Sequence, residues 1–176
     1  MYKRQTGGRS ETEKGNDKIL IVLTDGANTY YTPSWFGAND YALNRSSYSA
    51  YGYTGVGYNG TATTRMYMNT DANVSKTTYT EANYTTAMND QFTALCDNAK
   101  AANVIVMTIA LDLDSTNTAE KKQMDALKSC SSDSRFRKDP TDPSKPAKLF
   151  WNSTGASLSA DFKEIGNELS NLRIVS

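Results

Sequence analysis

Residues 19–26 read Ile19-Leu20-Ile21-Val22-Leu23-Thr24-Asp25-Gly26. An unbroken aliphatic run that stops at an Asp-Gly corner predicts a strand covered on both faces, as in a parallel sheet. Gly26 is expected to supply the sharp turn after it. A second run of the same kind spans Val104 to Leu111 and ends beside Asp112 and Asp114. A third, shorter one is Lys148-Leu149-Phe150-Trp151-Asn152. By composition strand 19–24 looks central, yet it comes first in the chain and nothing in this sequence is available to cover its other edge, which is expected to be unpaired or covered only by loop.

The segments between these runs carry helical spacing. Met88, Phe92, Leu95, Cys96 and Ala99 recur at intervals that place them on one helix face, and Asn103 is positioned to close that helix. Asn117 and Glu120 form an N-x-x-E start signal close to a capping box. The helix it opens places Met124 and Leu127 inward and runs to about Cys130. Leu158, Phe162, Ile165, Leu169 and Leu172 form the stripe of a last helix. Residues 131–147 contain Pro140, Pro143 and Pro146 and read as a loop. Buried strands alternating with amphipathic helices imply an α/β fold. The expectation is a partial doubly wound, Rossmann-like sheet of three parallel strands joined by right-handed crossovers.

Residues 30–84 differ in kind. They hold ten of the eleven tyrosines, one Leu and no Ile, among many Gly, Ser, Thr and Asn residues. Such a segment cannot build an aliphatic core. It reads as a long insertion, with a short hairpin expected around Met66-Tyr67-Met68. Tyr with Ser, Gly and Asn also suits a recognition surface, while the plainer reading is a variable insertion whose tyrosines pack on one another.

Composition removes several functions. The 176 residues contain no His, two Cys, and 19 basic against 19 acidic side chains. A Ser-His-Asp triad, an HExxH site and a Cys2His2 zinc site are therefore impossible within the chain. Zero net charge speaks against a nucleic-acid binder. The longest apolar run, about ten residues, falls short of a membrane span. Residues 1–18 form a polar lead-in without a secretory signal. Met1-Tyr2-Lys3-Arg4-Gln5 resembles the translation of a transposon-end adapter used for sequencing libraries, with a GTG start turning Val into Met. On that reading residues 1–5 are foreign, and the natural N-terminal part is expected to be missing. The alternative is a genuine polar N-terminus.

Val22-Leu23-Thr24-Asp25-Gly26-Ala27-Asn28-Thr29 resembles the third metal-site motif of the von Willebrand factor A domain. The resemblance narrows further along the chain, through Leu95-Cys96-Asp97-Asn98-Ala99-Lys100, Val104 to Ala110, Leu127 to Ser132, Asp161 to Gly166 and Leu172-Arg173-Ile174. In this order they look like the C-terminal half of the A domain in TadG-like proteins, bacterial envelope proteins associated with assembly of Tad pili. The resemblance covers roughly residues 18–29 and 88–176. It implies that residues 19–176 are the C-terminal part of such a domain, with 30–84 inserted.

What the resemblance implies is a non-enzymatic binding, adhesion or pilus-assembly module of the cell envelope. Its partners would be pilus-machinery proteins or a surface ligand, and the intact protein would be anchored through a preceding N-terminal segment. It also implies a Mg2+ site in the family, to which only Asp25 maps. The Asp-x-Ser-x-Ser motif that completes that site is absent, and one carboxylate with water would hold a hard cation weakly. No bound cofactor is therefore expected in this chain. Asp112 and Asp114 are expected near Asp25 at the strand ends, as cation ligands or as acids suited to a following helix start. An envelope location is oxidising and so favours a Cys96–Cys130 disulfide; two buried thiols are the alternative. Two rival functions remain from the residues. One is a metal-dependent hydrolase using Asp25, Asp112 and Asp114. The other is a cytosolic A-domain scaffold partnering an ATPase.

Overall fold

The computed structural model describes residues 17–27, 48–49, 52–53, 67–76, 78 and 81–174. The polar lead-in up to residue 16, Asn28 and Thr29 of the Asp25 motif, and most of the Tyr-rich insertion lie outside them. The chain divides into two compact units, Ala27–Leu95 and the remainder, Met1–Gly26 with Cys96–Ser176.

The larger unit is built on a three-stranded parallel sheet. Its strands are β1 (Lys18–Thr24), β4 (Val104–Leu111) and β7 (Phe150–Ser153), in the order β1-β4-β7. β1 runs in register with β4 from Lys18↔Val104 to Thr24↔Ala110, and β7 from Thr108↔Phe150 to Leu111↔Ser153. The expected α/β class and the three parallel strands are therefore present, in an arrangement compatible with a Rossmann-like fold.

β4, not β1, is the central strand. Val106, Met107, Thr108, Ile109 and Ala110 are buried, so both of its faces are covered. On one face Ile105, Met107 and Ile109 pack with Leu149, Trp151 and Ile165. Ile165 comes from helix α3 (Leu158–Ile174). On the other face the Thr108 hydroxyl donates to the carbonyl of Leu127 at 2.9 Å, in helix α2 (Thr118–Cys130). That bond satisfies the one polar group in the middle of the strand.

β1 lies at the sheet edge, and no described strand pairs with its outer side, as expected for this chain. Its cover differs from expectation. Ile19, Leu20, Ile21 and Leu23 are 37–52% exposed, so neither face is covered as the run predicts. The physical reason is that the helix after β4 packs on β4 and β7, and the last helix packs on β7 and β5 with Ile165 against β4, so neither is placed over β1. Gly26 also differs from expectation. A Cβ there would meet nothing within 4 Å, and its φ is not left-handed, so the turn does not require glycine.

Helix α1 (Glu81–Ala101) is closed by Asn103 in the left-handed conformation (φ 58°), as its position suggests. Its inward face is the predicted one in part: Cys96 is buried and Met88 packs on the core of the smaller unit. Tyr84 and Ala87 are buried as well, whereas Leu95 is 61% exposed. Residues 81–95 belong to the smaller unit, whose core is Tyr67, Val74, Tyr84 and Ala87. Tyr67 and Tyr84 stack there with centroids 5.6 Å apart. That core is aromatic, in keeping with a segment short of aliphatic residues. The expected strand pairing around Met66-Tyr67-Met68 is absent: Tyr67–Asn69 is a helical turn, and Met66 lies outside the described residues. A minimal hairpin pairs β2 (Tyr48–Ser49) with β3 (Gly52–Tyr53) instead.

The stretch predicted as a Pro-rich loop contains a second hairpin, β5 (Asp133–Lys138) against β6 (Pro146–Lys148). It is joined to the sheet through Ser132, whose N–H donates to the Val106 carbonyl and whose hydroxyl accepts from Val106 N–H. Glu168 of α3, only 3% exposed, receives the Ser134 hydroxyl and the Arg137 guanidinium. In α3, Phe162 of the predicted stripe is 49% exposed, whereas the helix turns Ile165 and Glu168 inward. The side chain of Leu172 lies outside the described residues.

Cys96 and Cys130 are joined as a disulfide, with Cα atoms 5.1 Å apart and a sequence separation of 34. Both are buried. Chain entropy gives a crosslink over such a loop about 4 kcal/mol. Replacing both cysteines with serine is expected to lower unfolding stability by about 2–4 kcal/mol in a denaturant titration. A loss below about 0.5 kcal/mol would show that the crosslink restrains little. Ile21→Lys on the exposed edge should cost under about 1 kcal/mol and reduce binding of the dye ANS, whereas Met107→Lys should prevent folding.

Candidate functional site

In an open parallel α/β sheet the general ligand position is outside the carboxyl ends of the strands. Here that end is formed by Thr24-Asp25-Gly26 after β1, Asp112-Leu113-Asp114 after β4, and Ser153-Thr154 at the end of β7. The corner after β1 is held locally: the Thr24 hydroxyl donates to the Gly26 carbonyl at 3.1 Å and accepts from Gly26 N–H at 3.4 Å. Asp25 is exposed.

β4 and β7 are tied together at this end. Asp112 takes a left-handed φ of 51° and donates its N–H to the Ser153 carbonyl at 2.8 Å. An Asp tolerates this conformation better than most residues. The Asn152 side chain donates to the Leu113 carbonyl at 3.0 Å and so fixes the loop that follows. Beyond β7, Thr154 and Ser157 exchange hydrogen bonds at the start of α3, and the Ser157 hydroxyl donates to Asp161 at 2.7 Å. This is a reciprocal cap.

Asp114 takes the second of the two roles considered for it, an acid beside the following helix start and not a metal ligand. Its Oδ1 accepts from both the N–H and the hydroxyl of Thr116, each at 2.8 Å. These two bonds hold its carboxyl below the usual carboxylate range, the backbone bond contributing most. Its own N–H donates to Glu120 at 2.7 Å, and Glu120 also receives the Asn117 amide at 3.1 Å. Asn117 Oδ1 accepts from Ala119 and Glu120 N–H. The Asn117 cap legible in the sequence is thus formed, with Glu120 reaching back to the Asp114 N–H instead of the Asn117 N–H of a strict capping box.

Asp25, Asp112 and Asp114 lie at neighbouring strand ends as expected, but they do not converge. Among the described residues no three Asp, Glu, Cys or His side chains are grouped to hold a metal ion. The residues described therefore do not make up a ligand set for Mg2+, which wants several oxygen donors in octahedral array. Comparison with protein-family models, with curated proteins and with solved structures finds no match.

A second concave region was not anticipated. A cavity of about 350 Å³ lies along β7 and the β5–β6 hairpin, lined among others by Lys128, Arg137, Lys148, Phe150, Trp151 and Asn152. Arg137 stacks over the Trp151 ring at 4.9 Å from its centroid. Its Nη1 bonds Glu164 at 3.1 Å, and the same Glu164 oxygen receives Trp151 Nε1 at 2.7 Å. The only sequence signal for this region is the Arg/Lys-rich run 135–138 followed by aromatics at 150–151.

The lowered pKa of Asp114 sets a pH dependence. A carboxyl depressed in the folded state stabilises it above the unfolded value of about 3.8, and that contribution is lost as pH falls through the folded value. Thr116→Val is expected to raise the titration midpoint of Asp114, followed by carboxyl chemical shifts. An unchanged midpoint would remove Thr116 as the cause.

Proposed function

We propose that this chain is an A-type α/β binding module of a bacterial cell envelope, resembling the von Willebrand factor A domain of TadG-like pilus-assembly proteins. On this reading it acts by contact and not by catalysis, with pilus-machinery proteins or a surface ligand as partners. The observation that carries it is the Thr24-Asp25-Gly26 corner at the carboxyl end of a parallel strand, followed by two further strand–helix units. The Cys96–Cys130 disulfide supports an oxidising compartment. Among the described residues no helix is long and apolar enough to cross a membrane. The hydrolase reading is weaker, because Asp114 is bound into a helix cap and the three carboxylates do not converge.

Two measurements test the proposal. Cysteine trapping in the producing bacterium should find Cys96 and Cys130 protected from maleimide until a reductant is added. Free thiols at both positions would overturn the envelope location. Mg2+ titration of the isolated chain should leave its melting temperature, and that of Asp25→Ala, unchanged. A rise in the parent that the variant lacks would assign Asp25 to a working metal site.

A further inference from the structure

β7 is the second edge of the parallel sheet, opposite β1. The carbonyls of Leu149 and Ser153 accept from Thr108 and Asp112 N–H, so the odd-numbered residues of this segment bond toward β4. The alternation of a parallel ladder then turns the N–H and C=O of Phe150 and Asn152 to the open side. No described strand pairs there. Phe150 and Asn152 also line the 350 Å³ cavity, so backbone donors and acceptors without a strand partner among the described residues lie beside a concave wall.

The charges around that wall are unequal in availability. Its two acids are already engaged. Glu164 holds Arg137 and Trp151, and Asp139 Oδ1 receives the N–H and hydroxyl of Thr141 and the N–H of Asp142. Those bonds keep Asp139 below the ordinary carboxylate range. Of the cations, Arg137 is paired with Glu164 and Glu168, and Lys128 is the one left for an incoming charge. Lys128 is exposed and has no ion pair within 4.0 Å among the described residues, while Arg137 Nη2 is buried without a hydrogen-bond partner. Lys148 bonds Asp133 at 2.9 Å, outside the cavity lining.

We propose that the open edge of β7 docks an extended acidic peptide segment as a fourth strand of the sheet. Main-chain hydrogen bonds to Phe150 and Asn152 supply the affinity of strand addition, and Lys128 beside the edge selects the acidic side chains. The cavity sits near the lower end of ligand pockets, roughly 300–1,000 Å³, which suits one or two side chains of a strand. The proposal does not depend on a metal or on Asp25.

The test titrates the isotope-labelled full chain with a blocked peptide alternating glutamate and valine. The Phe150 and Asn152 amides are expected to shift and to exchange about tenfold more slowly with solvent. A lysine–valine peptide and the fully N-methylated glutamate–valine peptide should each bind about fivefold or more weakly. Lys128→Glu, at an exposed position, should weaken binding about fivefold with its melting temperature unchanged. Equal binding of the N-methylated peptide would reduce the effect to charge adsorption and overturn strand addition. Equal binding of the lysine peptide, or amide shifts confined to other regions, would also overturn the proposal. So would protection of Phe150 and Asn152 that rises with protein concentration alone, since that would assign the edge to a second copy of the chain.

Discussion

The fold depends on burying both faces of β4. A strand with six consecutive buried residues, Ile105 to Ala110, must receive cover from two directions, and each neighbouring element is placed by that demand. α3 brings Ile165 to the Met107 face, α2 turns a carbonyl toward Thr108, and Ser132 brings the chain back to Val106 before the hairpin begins. β7 then enters in register at Thr108, so the aromatic pair Phe150-Trp151 meets the sheet only because the hairpin ends where it does. Taking β4 out of register by one residue would move Thr108 into the apolar cluster and Met107 out of it.

How much of this was legible follows from what each element relies on. The α/β class, the three parallel strands, the Asn117 cap and the Asn103 stop all rest on local pattern, and the sequence carries them. The centrality of β4 was not legible. β1 and β4 have nearly the same composition, and cover comes from helices elsewhere in the chain. The β5–β6 hairpin was hidden for a related reason. Its strands are short and flanked by prolines, and it is held by Ser134 and Arg137 on the buried Glu168, a contact some thirty residues away in sequence. Leu95 and Phe162 satisfy helical spacing yet face solvent, because a stripe of apolar residues does not say which part of it finds a partner.

The carboxylates at the strand ends show the same limit for function. Their positions could be read, since aspartates following parallel strands must gather at one end of the sheet. Their availability could not. Asp114, Asp139 and Asp142 are each followed two residues later by Thr or Ser, which donate an N–H and a hydroxyl back to the carboxylate. Such local bonds compete with any external ligand for the same oxygens. An acidic cluster counted from sequence therefore overstates the donors on offer, and Asp25, which lacks such a neighbour, is left alone.

The two edges of the sheet then have opposite character. β1 exposes aliphatic side chains on both faces and carries no selective charge pattern along them. β7 is flanked by Lys128, Arg137 and Lys148 and by acids already engaged. Like charges repel at such an edge, and opposite charges are admitted one side chain at a time, so pairing there discriminates between partners. A module that works by contact needs the second kind of edge. In this chain the stacking of Arg137 on Trp151, clamped by Glu164 and Glu168, is what keeps charge beside an open strand without leaving the aromatic core exposed.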